Sequence, residues 1–82
     1  MRITAYIADW CSDSQRTLRL LNSSGLAFDV IDIEEVTGAE EEMKKINGGS
    51  GKIPTIVIEN SGKQSVLIEP SDSELKQALG IL

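Results

Sequence analysis

The sequence predicts an α/β protein with the element order β-α-β-α-β-β-α, a four-stranded mixed sheet and three helices on both of its faces. Three observations carry that expectation. Short apolar runs of period two stand near the N-terminus and again in the second half of the chain. Runs of helical period, two of them with capping-box spacing, lie between and after them. The four residues Asn60-Ser61-Gly62-Lys63 join two of the strand-like runs directly, as a hairpin turn does.

Arg2 to Ala8 reads as the first strand, with Ile3, Ala5 and Ile7 on one face and the β-favouring Thr4 and Tyr6 on the other. It ends at Asp9-Trp10-Cys11. A helix fits from about Ser12 to Ser23, where Leu18 and Leu21 share a face and Arg16 and Arg19 stay in water. Gly25 stops it, because glycine enters the left-handed region without a Cβ clash. Phe28 to Ile33 is the second strand. Thr37-Gly38-Ala39-Glu40 has capping-box spacing, so a short acidic helix is expected there, burying Met43 and Ile46. Asn47-Gly48-Gly49-Ser50-Gly51 breaks it. Pro54 then opens a third strand, Thr55 to Glu59, and Gln64 to Glu69 returns antiparallel after the turn. Ser71-Asp72-Ser73-Glu74 repeats the capping-box spacing and starts a last helix with Leu75 and Leu79 inward. The two βα units imply parallel pairing of the first two strands through right-handed crossovers, and the hairpin adds an antiparallel edge.

Composition narrows the chemistry. At 82 residues the chain is expected to be one domain, residues 1–82, near the lower edge of what holds a core unaided. One cysteine and no histidine exclude an internal disulfide, a CxxC zinc site, an intramolecular dithiol switch and the Ser-His and Cys-His nucleophile pairs. Catalysis is left to Cys11, to carboxylates or to a bound molecule. A formal charge of −5 repels phosphate backbones, so no nucleic-acid partner is expected. No apolar run approaches the ~20 residues of a membrane helix, and Asp9 interrupts the only apolar stretch near the N-terminus, so neither a membrane partner nor a signal peptide is expected. A lone thiol suits a reducing compartment, which points to the cytoplasm.

Cys11 stands where the first strand gives way to the first helix. A helix N-terminus offers unpaired N–H groups and a partial positive charge, and both favour a thiolate, the form that attacks disulfides. A small buried apolar role is the other reading of a lone cysteine. Asp13 opposes the thiolate, and Arg16, about one turn on, offsets it. Trp10 either covers a core edge or gives a flat surface against which a substrate packs. Pro54 is either an ordinary trans proline opening a strand or a cis-proline that sets the backbone of Ile53 beside an extended substrate. The acidic run Glu34, Glu35, Glu40, Glu41 and Glu42 suits a solvated helix face and the helix dipole better than a metal site. Lys44 and Lys45 fit the same dipole argument at the other end of that helix.

Trp10-Cys11-Ser12-Asp13-Ser14-Gln15-Arg16, Phe28 to Ile33, Asn47-Gly48-Gly49 and Lys52-Ile53-Pro54-Thr55 together resemble a glutaredoxin-like protein of the thioredoxin fold, closest to the short mycoredoxin-type glutaredoxins. The resemblance spans essentially the whole chain. It implies thiol–disulfide exchange, with Cys11 as nucleophile and Ile53, ahead of a cis Pro54, offering backbone hydrogen bonds to the substrate. Ser71 and Asp72 match the region that grips the far end of glutathione. No permanently bound cofactor and no metal are implied. Glutathione or another low-molecular-weight thiol is the co-substrate, the partners are small thiols and disulfide-bearing proteins, and the chain is expected to act as a monomer.

Three positions depart from the family pattern. Ser14 stands where dithiol members carry the resolving cysteine, Ala8 where many carry a lysine, and Glu69-Pro70 where Gly-Gly is usual. Cys-Ser-Asp-Ser also differs from the Cys-Gly-Phe-Ser of the iron–sulfur-carrying branch. Two functions follow as expectations. One is a monothiol oxidoreductase in which a second small thiol completes the cycle and Ser14 donates a hydrogen bond to the Cys11 thiolate. The other is a non-catalytic thioredoxin-like module that binds an extended segment along the Pro54 edge.

Overall fold

The elements follow the expected order: β1 (Arg2–Ile7), α1 (Ser12–Ser24), β2 (Asp29–Asp32), α2 (Ala39–Ile46), β3 (Thr55–Asn60), β4 (Lys63–Ile68) and α3 (Asp72–Leu79). The structure, a computed structural model, describes residues 1–81. The sheet runs β2-β1-β3-β4. β1 pairs parallel with β2 from Thr4–Asp29 to Ile7–Asp32, and antiparallel with β3 from Arg2–Glu59 to Tyr6–Thr55. β4 returns antiparallel along β3, with Asn60 opposite Lys63. Ser61 and Gly62 between them both take positive φ, 53° and 79°, the pattern of a type I′ turn that matches the twist of a hairpin.

The period-two pattern splits the core into two layers. Ile3, Ala5 and Ile7 of β1 and Ile56 and Ile58 of β3 pack against Leu20 and Leu21 of α1 and Leu75 and Leu79 of α3. Tyr6 and Val57, facing the other way, pack against Met43 of α2, with Ile31, Ile33, Ile46 and Ile53 around them. Helices therefore cover both faces of a four-stranded mixed sheet, as the sequence leads one to expect. The register has a consequence for function. The C-terminal ends of β1, β2 and β4 and the N-terminal end of β3 all lie at one end of the sheet. The loops after β1 and β2, the loop before β3 and the loop after β4 are brought together there.

Three expectations need correction. The inward stripe of α1 is Ser14, Thr17, Leu20 and Leu21, while Leu18 is only half-buried, so the helix is turned toward its small polar residues. Arg16 does not stay in water but is partly covered, because Asp72 and the Pro70 carbonyl stand beside it. Thr37 caps nothing: the N-cap of α2 is Gly38, at φ 81°, and no side chain bonds the helix start. The Ala39 N–H turns back instead to the Val36 carbonyl at 3.1 Å. The left-handed residue needed by that turn shifts the helix one position past the capping-box spacing.

Thr17 is fully buried, and among the described residues its hydroxyl has no hydrogen-bond partner. An unsatisfied buried hydroxyl costs about 1–3 kcal/mol. Thr17→Val keeps the shape and removes the polar atom. It is expected to stabilise the fold by about 1 kcal/mol, a rise in Tm of about 4–8 °C for a domain of this size. Thermal unfolding followed by circular dichroism checks this; a lower Tm would show that the hydroxyl is satisfied.

Candidate functional site

β1 ends in a turn closed by the Cys11 N–H on the Ala8 carbonyl at 3.1 Å. Cys11 is the N-cap of α1, with extended φ −85° and ψ 120°, and its carbonyl accepts the first helical bond from Gln15 N–H at 3.0 Å. Its side chain makes no capping hydrogen bond and is partly exposed. The sulfur thus stands at the positive end of a helix, beside first-turn N–H groups that have no partner within the helix. That position fits the reactive reading of Cys11 better than the buried one. Asp13 lies in the same turn, and Arg16 Nη2 stands 3.6 Å from its Oδ1.

Ser14 is fully buried, and its Oγ accepts the Ala8 N–H at 3.4 Å. The hydroxyl ties the first turn of α1 to the last residue before the turn.

Trp10 is 70% exposed, so it is not the cover of a core edge. Its indole N–H donates to Glu34 Oε1 at 2.7 Å. The loop carrying Glu34 is fixed in turn: Ile33 N–H reaches the Ile7 carbonyl at 3.0 Å, and Glu34 N–H reaches Asp32 Oδ1 at 2.9 Å. Gln15 Nε2 donates to the Asp9 carbonyl at 2.9 Å and steadies the other side of the turn.

The Ile53–Pro54 peptide is cis. Pro54 is buried and Ile53 half-buried. The loop leading to them is organised by Asn47, which the sequence marks as a helix breaker and as part of the Asn47-Gly48-Gly49 motif. Its amide donates to the Ser50 carbonyl at 3.0 Å and to Thr55 Oγ1 at 3.1 Å, and its Oδ1 accepts from Ser50 N–H at 2.9 Å. Thr55 Oγ1 donates to the Lys52 carbonyl at 3.0 Å. An asparagine in front of two glycines that a proline and a threonine follow is the signal that was available. On the far side, the Pro54 carbonyl accepts Glu69 N–H at 2.8 Å, joining the end of β4 to the start of β3.

Ser71 and Asp72 begin α3 at the same end of the sheet. The capping box is complete: Glu74 N–H donates to Ser71 Oγ at 3.1 Å, and Ser71 N–H donates to Glu74 Oε1 at 2.9 Å. The Asp72 carboxylate is held by the Arg16 guanidinium, which also donates to the Pro70 carbonyl at 3.2 Å. Arg16 is therefore a brace between α1 and the start of α3, a role its position on the polar face does not reveal. Glu69 sits at φ 47°, a left-handed conformation that costs a non-glycine residue about 1–2 kcal/mol and that glycine adopts freely. Cys11, Trp10, Ser14, Ile53, Pro54, Ser71 and Asp72 are all brought to this one end of the sheet. Among the described residues, no three or more Cys, Asp or Glu side chains are grouped to hold a metal ion.

Residues 3–62 match the family model for glutaredoxin. A protein of Mycobacterium tuberculosis provisionally described as a glutaredoxin is 32% identical over 77 residues, covering 94% of this chain and 88% of its own. Mycoredoxin 1 of Corynebacterium glutamicum is 33% identical over 54 residues, 66% of each chain. A glutaredoxin from Archaeoglobus fulgidus has a similar structure, with a TM-score of 0.76 at 24% identity over 94% of this chain and 84% of that one. The holo form of glutaredoxin C1 from Populus tremula x tremuloides gives 0.65 at 18% identity over 95% and 73%. At those identities the structural likeness is one of fold.

The hydrogen bonds that Ser71 makes to Glu74, chiefly from its backbone N–H, hold the Glu74 carboxyl below the ordinary glutamate range. A carboxyl lowered by folding adds stability above its unfolded value and loses it as pH falls through its lowered value. Urea unfolding of the native chain and of Glu74→Ala across an acid pH series should show a stability gap that is widest near neutrality. It should close as the pH falls through that lowered value. A gap constant with pH would contradict the charged capping box.

Proposed function

Since the chain belongs to the glutaredoxin family, whose members are thiol–disulfide oxidoreductases, we propose that Cys11 is the nucleophile of a monothiol exchange cycle. The observation that carries this reading is Cys11 as the partly exposed N-cap of α1, at the sheet end that also holds the cis Pro54.

The Cys11 thiolate attacks the small-thiol sulfur of a mixed disulfide. The disulfide bond breaks, the substrate sulfur leaves as a thiolate and takes a proton from water, and the small thiol stays bonded to Cys11. Ser14 has no sulfur with which to displace it. A second small-thiol molecule, as its thiolate, attacks the sulfur bonded to Cys11, which regenerates the Cys11 thiolate and releases the symmetrical small-thiol disulfide. One mixed disulfide and one free small thiol thus give the substrate thiol and the symmetrical small-thiol disulfide. Ile53 offers its backbone to the extended substrate, Trp10 flanks the sulfur, and the Ser71–Asp72 helix start receives the far end of the small thiol. Anion binding at a helix N-terminus suits that last role. Glutathione and mycothiol are the candidate small thiols.

No helix among the described residues is long and apolar enough to cross a membrane. The cytoplasm is the proposed setting, and a single copy of the chain the proposed working unit.

Turnover of mixed disulfides of 2-mercaptoethanol with glutathione, and separately with mycothiol, is the test, with the matching small thiol in excess. The native chain is expected to turn over at least one of them and to release the symmetrical disulfide, and Cys11→Ser is expected to fall to the uncatalysed rate. Activity that survives Cys11→Ser would contradict the reading. A native chain inactive on both substrates, whose capture of a protein partner is unchanged in Cys11→Ser, would favour the non-catalytic binding module.

A further inference from the structure

Trp10 and Val36 are left 70% and 50% exposed, large apolar side chains in water on the loops that follow β1 and β2. Their setting is not loose. The β2 loop is pinned to β1 by the Ile33 N–H on the Ile7 carbonyl and is joined to Trp10 through Glu34. The indole is gripped at its edge, by its N–H, and most of its surface stays in water. Asp9, Glu34 and Glu35 on the same two loops are exposed, and none of them forms an ion pair among the described residues. Asp13, by contrast, shares Arg16 with Asp72. Lys52 lies on the loop before β3, and the Lys44 side chain reaches that loop at Gly51, on the other side of β1 from Glu34 and Glu35.

An exposed indole beside unneutralised carboxylates favours a cation twice over, through the ring quadrupole and through Coulomb attraction, and it repels an anion. The aliphatic stem of a lysine or arginine also has apolar surface to lie on, at Trp10 and Val36. We propose that Trp10, Val36, Asp9, Glu34 and Glu35 form a docking surface for a basic segment of a protein substrate, one that carries a lysine or arginine close to its disulfide-bonded cysteine. This rests on the exchange function proposed for Cys11, and it names the class of protein disulfide that reaches it. The basic residue lies on the β2 side of the sulfur, because the opposite side carries Lys52.

The test uses the full chain and three peptides of equal length. Each has one cysteine bonded to the same small thiol, with lysine and arginine, glutamate, or serine and glycine as flanking residues. The expected result is a kcat/KM for the basic peptide about tenfold above that for the acidic one at low ionic strength, with the difference shrinking as salt rises. Asp9→Asn with Glu35→Gln, which leaves the Trp10–Glu34 bond in place, should bring the ratio of the two peptides toward one. Trp10 is the only tryptophan, so its fluorescence reports docking directly. In Cys11→Ser, an unreactive basic peptide should shift its emission at concentrations where an acidic one does not. Turnover of the neutral peptide with equal rates for the charged pair would overturn the docking surface and leave the exchange function standing. A charge preference that persists in the double variant would also overturn it. Failure to turn over any of the three would overturn the exchange function, and this inference with it.

Discussion

β1 is hydrogen-bonded along both edges, parallel to β2 on one side and antiparallel to β3 on the other, and the rest of the site depends on that pairing. The parallel partner requires a helix to carry the chain back, so α1 must begin where β1 ends, and Cys11 falls at its N-cap. The antiparallel partner brings the start of β3 to the same place, and with it Pro54. Neither neighbour alone would do this. A β1 paired only with β2 would leave Cys11 at a helix start with the Ile53–Pro54 peptide elsewhere.

What the pairing brings near, polar side chains then hold. Ser14 fastens α1 to Ala8, Asn47 shapes the approach to Pro54, and Arg16 fastens α1 to the start of α3. Each binds a backbone group or a loop that the apolar layers do not reach. The two halves of the structure therefore divide the work. Ile3, Ala5, Ile7, Leu21, Ile56 and Leu75 set where the elements lie, and a few hydrogen bonds set where their ends point. Glu69 shows the cost of this arrangement: it takes a left-handed backbone without being a glycine while its N–H donates to the Pro54 carbonyl.

The sheet and its helices were legible from periodicity because Ile3, Ala5 and Ile7 on one side and Tyr6 on the other meet separate apolar layers. The capping box at Ser71 was legible because its spacing coincides with its geometry. At Thr37 the same spacing misled, since the turn before α2 demanded a left-handed residue and Gly38 became the cap. Cys11 could be placed at a helix start from order alone. The roles of Arg16 and Glu34 could not, because each joins segments far apart in the chain: Arg16 meets Asp72, and Trp10 meets Glu34. Such contacts follow from tertiary placement and leave no local pattern. Exposure of Trp10 belongs to the same class, since an isolated tryptophan suits a core edge and a binding surface equally well.

The proposed cycle turns on Cys11, the single cysteine, attacking the small-thiol half of a mixed disulfide from a helix start. Intact-mass spectrometry of the protein, quenched by acid after one turnover with a peptide–glutathione disulfide and no free thiol, observes that step directly. The predicted result is a protein heavier by one glutathione, with free peptide released in equal amount. A protein that carries the peptide instead, or that remains unmodified while the peptide is reduced, would contradict it.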